Sequence, residues 1–124
     1  MFKKEYSFRG SHAVKVEQLT SKFDKQGNRL FERNLDVYIM APMVGFLYGR
    51  KAKQERGEEL VRINPSQLFS EHSTLEFNYR LILLLDKSHE PSFEERINKS
   101  FRYYGTEEAE ADERLYEEYV RGGI

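Results

Sequence analysis

The chain contains no cysteine, and only three of its 124 residues are proline. Without cysteine there can be no disulfide, no thiolate nucleophile and no Cys-ligated zinc or iron–sulfur site. The uninterrupted apolar runs, such as Leu81 to Leu85, are far shorter than the roughly 18–20 residues that cross a bilayer. No apolar run follows the basic residues near Met1, so no signal peptide is expected. These absences predict a soluble, cytoplasmic protein without a membrane partner.

The length and the apolar content predict a single domain. A domain usually has about 100–200 residues. Thirty-two residues are Leu, Ile, Val or Phe, about a quarter of the chain, which is above the ~20% below which disorder is expected. We therefore expect residues 1–124 to form one domain. Its core is lean, so a partner subunit would complete it.

The charge is unevenly distributed along the chain. The formal net charge is −1, but residues 1–56 carry a net charge of +6 and residues 57–124 a net charge of −7. Such halves can attract each other within the fold or pair head-to-tail between subunits. The basic half can also meet an anionic partner. The sequence leaves these alternatives open. The simplest alternative is that the charged residues form ordinary solvent-exposed surfaces without a binding role.

The spacing of the apolar residues predicts an all-α fold, a compact bundle of five to six helices. The segments at about 35–48 and 74–87 are apolar on nearly all sides, which is typical of central helices. Tyr38 and Leu83 are predicted to lie where these two helices cross inside the molecule. Residues 1–10 are predicted to form an extended arm. One short strand pair is left open.

Pro42 interrupts the first of these central segments. Inside a helix, proline removes one N–H and clashes with the carbonyl of Tyr38, which costs roughly 3 kcal/mol unless a kink relieves it. The alternative is a buried strand over 35–40 followed by a helix with Pro42 in its first turn. We favour a kinked helix because the surrounding pattern is helical. Gly45 lies just after the kink and would let another backbone approach closely.

Helix boundaries are predicted from capping residues. Ser11 is expected to cap the first helix, and Val16, Leu19 and Phe23 form one face of that helix. The remaining starts are predicted at the caps Asn34, Asn64, Ser73, Ser92 and Thr106.

The last two helices each carry an apolar stripe. The stripe of the first is Phe93, Ile97, Phe101 and Tyr104. The stripe of the second, which is expected to be buried, is Leu115, Tyr116, Tyr119 and Val120.

The sequence offers little for catalysis. His12, His72 and His89 have no second histidine at helical spacing, so a helical zinc or di-iron site lacks its usual ligands. Glu110 shares a helix face with Glu107 and Glu113, and such carboxylates could hold Mg²⁺, although a solvated helix face explains them as well. There is no nucleophile elbow and no phosphate-binding loop. We therefore assign no catalytic residue, metal ligand or cofactor, and a carboxylate-based metal-dependent enzyme is the weakest functional alternative.

One basic segment is the best candidate for a binding site. It combines an aromatic residue with four cations within nine residues. Cations provide the sequence-independent part of nucleic-acid affinity, and aromatic rings can stack on unpaired bases. The candidate nucleic-acid-binding residues are Tyr48, Arg50, Lys51, Lys53 and Arg56.

The segment Leu35-Asp-Val-Tyr-Ile-Met-Ala-Pro-Met-Val-Gly-Phe-Leu-Tyr-Gly-Arg-Lys51 resembles part of small accessory proteins encoded beside DNA sulfur-modification (phosphorothioation) genes. Those proteins have a similar apolar helix with small residues, followed by Gly-Phe and a basic turn. Pro42 departs from the pattern, because a small helix former is expected there. The resemblance implies an accessory role in DNA modification or phage defence and assigns no catalytic residue.

Taken together, the sequence predicts a non-catalytic protein-interaction or oligomerisation module, acting as a homo-oligomer or within a complex. The lean core, the seventeen Phe and Tyr residues and the oppositely charged halves motivate this prediction. The alternative is a nucleic-acid-associated protein that uses the basic turn at 50–56.

Overall fold

A computed structural model describes all residues from Met1 to Ile124 and shows a mostly helical fold with one small antiparallel sheet. The predicted bundle of five to six helices is confirmed, and so is the short strand pair. The elements in chain order are β1 (Tyr6–Arg9), α1 (Ser11–Thr20), α2 (Asn34–Leu47), β2 (Leu60–Ile63), α3 (Pro65–Ser70), α4 (His72–Leu85), α5 (Phe93–Ile97) and α6 (Glu110–Gly122). A π-helical turn, Asn98–Arg102, extends α5, and a 3-10 turn, Glu107–Ala109, leads into α6.

Helix α2 runs unbroken through Pro42. The helical alternative that we favoured for this segment is therefore correct, and the strand alternative is wrong. Its start is one residue earlier than predicted, because Arg33 rather than Asn34 is the N-cap. The Arg33 backbone N–H donates to the Asp36 carboxylate at 3.0 Å, and the Arg33 guanidinium binds the same carboxylate.

Helices α2 and α6 cross with their backbones almost in contact. A Cβ atom placed on Gly45 would lie 2.1 Å from the carbonyl oxygen of Tyr119, and one placed on Gly123 would lie 1.8 Å from the carbonyl oxygen of Ala41. Any side chain at either position would overlap backbone, so glycine is required at both. The close approach predicted at Gly45 is thus present, and α6 is the helix that makes it.

The core is built largely from aromatic side chains. Tyr38 and Leu83, the two predicted crossing residues, are both buried. The Phe2 ring packs edge-on against Tyr38, Tyr79 and Tyr116, at centroid distances of 5.7 to 6.4 Å. Edge-to-face pairs of this kind are favourable beyond the area that they bury.

Within the N-terminal segment predicted as an extended arm, the structure forms a strand over Tyr6–Arg9, and Phe2 packs into the core. This strand, β1, pairs antiparallel with β2, with Tyr6 opposite Ile63 and Phe8 opposite Val61. Phe8 and Ile63 are buried, whereas Arg62 is exposed. One face of the two-stranded sheet therefore covers the core.

Several predicted helix boundaries are wrong. Gly10, at a φ of +61°, takes the N-cap position that we assigned to Ser11, because glycine adopts this conformation without strain. Helix α1 ends at Thr20, so Phe23 lies outside the helix and its side chain is 64% exposed. The cap predicted at Ser73 is also wrong, because α4 already begins at His72, directly after α3.

Other boundaries are confirmed. The Asn64 side chain accepts a hydrogen bond from the Gln67 N–H at 2.9 Å, and Pro65 is the first residue of α3. The Ser92 hydroxyl accepts from the Glu95 N–H at 3.4 Å. Thr106 is the N-cap of the 3-10 turn before α6. None of the helices has the length and apolar character that spanning a membrane requires.

Candidate interaction surface

An open groove of about 380 Å³ runs along the outer face of α4 beside the π-helical turn. Its floor is apolar, and its rim carries one hydroxyl, one carboxylate and one guanidinium group. The apolar lining residues are Phe77, Leu81, Leu84 and Phe101, and the polar ones are Ser73, Glu76 and Arg80. We call this feature the α4 groove.

The groove belongs to a wider exposed apolar surface. The side chain of Phe77 is 63% exposed, and those of Leu85 and Phe101 are each 54% exposed. Phe93 and Ile97, on the neighbouring α5, are exposed as well. Large apolar side chains grouped on one face of a monomer mark interaction sites more often than scattered ones do.

Three residues of the stripe predicted after Ser92, namely Phe93, Ile97 and Phe101, therefore face solvent, whereas Tyr104 packs against the core. The α-helix ends at Ile97, and the wider π-helical turn that follows changes the phase of the side chains. The buried side of the segment carries the polar residues Arg96 and Ser100 instead. Phe101 consequently points away from the core and toward the α4 groove.

Hydrogen bonds fix the π-helical turn against α4. The Ser100 hydroxyl donates to the carbonyl oxygen of Arg96 at 2.7 Å and lies 3.2 Å from that of Arg80. In return, the Arg80 Nε donates to the carbonyl oxygen of Ser100 at 3.2 Å. These contacts hold the wall of the groove at a fixed distance from its floor.

Arg80 also organises the rim of the groove. Its guanidinium carbon lies 5.2 Å from the centroid of the Phe101 ring and 4.8 Å from that of Tyr104, within cation–π range. It forms an ion pair with Glu76 at 3.5 Å, and the Tyr104 hydroxyl donates to Glu76 at 3.2 Å. Burial, and next the nearby Glu76 charge, raise the pKa of Tyr104, so this hydroxyl stays protonated and donating.

Buried charged groups hold α5 against the end of α4. Arg96 is only 6% exposed. Its guanidinium donates to the carbonyl oxygens of Leu84, Glu90 and Pro91, each at 2.9 Å. A cation at a helix C-terminus satisfies free carbonyls and complements the helix dipole.

Two aspartates extend this network to α6. Asp86 accepts from the Tyr119 hydroxyl at 2.5 Å and from the His89 N–H at 3.1 Å. Asp112 is fully buried and contacts His89 Nε2 at 2.6 Å and Lys99 Nζ at 3.4 Å. These contacts link the segment after α4 and the π-helical turn to α6.

The predicted basic residues do not line the α4 groove and lie in the segment between α2 and β2. Gly49, at a φ of +63°, ends α2, and residues 50–57 belong to no helix or strand. All five candidates are exposed: Tyr48, Arg50, Lys51, Lys53 and Arg56. The structure therefore leaves every one of them accessible to a partner.

The carboxylates considered as metal ligands do not converge. Glu107 and Glu110 are exposed, and nowhere do three His, Asp or Glu side chains come together in a way that could hold a metal ion. His12 is a buried residue of α1, His72 stacks on Phe69, and His89 contacts Asp112. The carboxylate-based enzyme has no ligand set to support it.

Comparison of the chain with protein families, with curated proteins and with solved structures gives no match. The resemblance of residues 35–51 to accessory proteins of DNA sulfur modification thus stays a prediction.

Sequence reasoning identified the residues of the groove as apolar but not the groove itself. The available signal was the pair Arg96 and Ser100, polar residues spaced by four within the stripe segment. A polar pair at helical spacing marks a face that makes hydrogen bonds, and here that face is the buried one.

Proposed function

We propose that this protein is a non-catalytic interaction module that associates with a second copy of itself through the exposed face of α4. The observation that carries the proposal is the row Phe77, Leu81 and Leu85, which lies along the outside of α4 beside Phe101. An intracellular location, expected from the absence of cysteine, belongs to the same proposal.

The spacing of this row suits a symmetric partner. Phe77, Leu81 and Leu85 are four residues apart and form an i±4n ridge, the type of ridge that interdigitates in the commonest class of helix packing. The row is symmetric about Leu81. In a two-fold dimer, Leu81 would therefore meet its own copy while Phe77 meets Leu85 of the second chain.

The electrostatics also suit self-association. The rim charges Glu76 and Arg80 already neutralise each other, and the net charge of −1 produces no strong repulsion between copies.

Burying one Phe or Leu side chain contributes about 1.5–3 kcal/mol. Because these side chains are already partly buried, each contributes about half of that amount, and six of them from two chains contribute about 4.5–9 kcal/mol. This exceeds the lower end of the cost of association, which is about 4–15 kcal/mol. We expect a weak dimer with a dissociation constant on the order of 0.1 mM.

The test is the molar mass in solution by light scattering and sedimentation, up to a protein concentration of about 0.5 mM. We expect the mass to rise from 14.8 kDa toward twice that value. The substitution Phe77→Glu should keep the protein monomeric.

Phe23→Glu is the matched control, because Phe23 and Phe77 are exposed to nearly the same extent, 64% and 63%. The control should dimerise like the natural sequence, and circular dichroism should show that both variants are folded. A constant mass of 14.8 kDa at every concentration, or equal loss of dimer in both variants, refutes the proposal.

The resemblance of residues 35–51 implies an accessory role in DNA modification or phage defence. We propose that the interaction module acts within such a system. A dimer would present two copies of the remaining surface to other components of a complex.

A further inference from the structure

We propose that the segment from Tyr48 to Arg56, which we call the basic strap, binds single-stranded nucleic acid. The strap lies outside the α4 groove, so nucleic-acid binding by the strap can be tested independently of the proposed self-association.

The strap is fixed to the rest of the molecule at both ends. Near its start, the Arg50 N–H donates to the carbonyl oxygen of Gly45 at 2.7 Å. Near its end, Glu55 accepts from the Ser11 N–H at 2.8 Å and from the Ser11 hydroxyl at 2.6 Å. The backbone is therefore ordered before any ligand arrives, which lowers the entropic cost of binding.

The middle of the strap is anchored to α6. The Ala52 N–H donates to the carbonyl oxygen of Glu118 at 3.0 Å, and the Arg121 Nε donates to the carbonyl oxygen of Ala52 at 2.9 Å. Lys51 and Lys53 flank this anchored residue and are exposed. The strap therefore presents two lysine side chains within three residues of each other.

The charge that the strap presents to solvent is positive. Its one carboxylate, Glu55, accepts hydrogen bonds from Ser11 and keeps its charge, so the strap has a formal net charge of +3. The four cations, Arg50, Lys51, Lys53 and Arg56, form no ion pair with another residue. Lys51 Nζ lies 5.5 Å from the centroid of the Tyr119 ring and Arg50 contacts Tyr48, but neither contact neutralises the cation, so all four can meet phosphates.

Tyr48 makes an unpaired strand the preferred ligand. Its side chain is 73% exposed, and the Arg50 guanidinium carbon lies 6.0 Å from its ring centroid. A base stacked on this ring would carry its phosphate to within reach of a cation. Duplexes offer no free base face along their length, whereas single strands do.

The experiment measures binding of a fluorescently labelled thymidine oligonucleotide by anisotropy as salt is raised. For single strands the affinity falls with a slope of about −0.7 per neutralised phosphate. Four contacts predict a slope of about −2.8, which is a loss of about 50-fold between 50 and 200 mM salt.

Two variants test the assignment of residues. The double substitution Arg50→Glu/Lys51→Glu should remove two contacts and reduce the slope to about −1.4, a loss of about sevenfold over the same range. Tyr48→Leu should weaken single-strand binding by about fivefold or more without changing the slope, because stacking is lost and no charge changes.

Lys87→Glu/Arg102→Glu is the control for the charge change, since both residues are exposed and lie far from the strap in sequence. It should bind like the natural sequence. Absence of binding at 50 mM salt overturns the proposal, as does equal weakening by the control. Binding to anionic phospholipid vesicles in place of the oligonucleotide overturns it too, and assigns the strap to a membrane surface.

Discussion

Replacing Gly45 by alanine would add one methyl group where α2 and α6 cross. The new Cβ would lie 2.1 Å from the carbonyl oxygen of Tyr119 and 3.0 Å from that of Arg50. Carbon–oxygen contacts in proteins are about 3.3 Å or longer. Both nearest neighbours are backbone atoms, so no side chain can rotate to make room, and the two helices must separate by about 1 Å.

The expected cost follows from two opposing effects. Overpacking a well-filled site costs about 1–3 kcal/mol, and rigid backbone neighbours place this site at the upper end of that range. Alanine favours a helix over glycine by about 1 kcal/mol, which offsets part of the loss. We expect Gly45→Ala to lower the free energy of unfolding by about 2 kcal/mol, and the melting temperature by about 8 °C for a chain of this size.

Urea unfolding followed by circular dichroism measures this difference. Lys15 lies on the exposed side of α1, so comparing Lys15→Ala with Lys15→Gly gives the intrinsic alanine–glycine preference within the same protein. Subtracting that preference isolates the packing effect at Gly45. If Gly45→Ala is as stable as the natural sequence or more so, the two helices do not approach as described.

Two further predictions concern buried polar groups. Tyr119→Phe should lower the free energy of unfolding in urea by about 2 kcal/mol, because it removes the O–H that donates to buried Asp86. Tyr104→Phe loses a longer hydrogen bond to half-exposed Glu76 and should cost less than about 1 kcal/mol. Equal losses in the two variants would contradict the dependence on burial. Burial raises the pKa of Glu117 above its ordinary 4.5, so the folded state favours the neutral carboxyl. The stability that this preference provides is present below pH 4.5, and it is lost as the pH rises through the raised pKa. Glu117→Gln should therefore match the natural protein near pH 4.5 and be more stable at neutral pH, and a difference that stays constant with pH would contradict this.

The sequence allowed the helices to be predicted because their signals are local. The capping residues Asn64 and Ser92 and the stripe around Tyr116 depend only on neighbours within one or two turns. Local patterns do not predict how the first N–H of helix α1, that of Ser11, is hydrogen bonded. This N–H is satisfied by Glu55, which lies 44 residues away, and no local pattern indicates such a pairing.

The α4 groove could not be predicted for a related reason. An apolar stripe with helical spacing has the same appearance whether its own chain covers it or leaves it open. The orientation of Phe101 is decided by the π-helical turn and by the hydrogen bonds of Ser100 to α4, which are tertiary contacts. The basic strap was easier to predict, because exposed cations need no partner within the chain.

The pairing of β1 with β2 sets an order for folding. Fifty residues separate Arg9 from its partner Leu60, and closing a loop of that length costs about 3.5 kcal/mol in chain entropy. An isolated two-stranded sheet is too weak to offset this. We expect the helices to assemble first and the N-terminal strand to join last, so that hydrogen exchange would find Phe8 and its neighbours among the first amides to open while α2 remains closed.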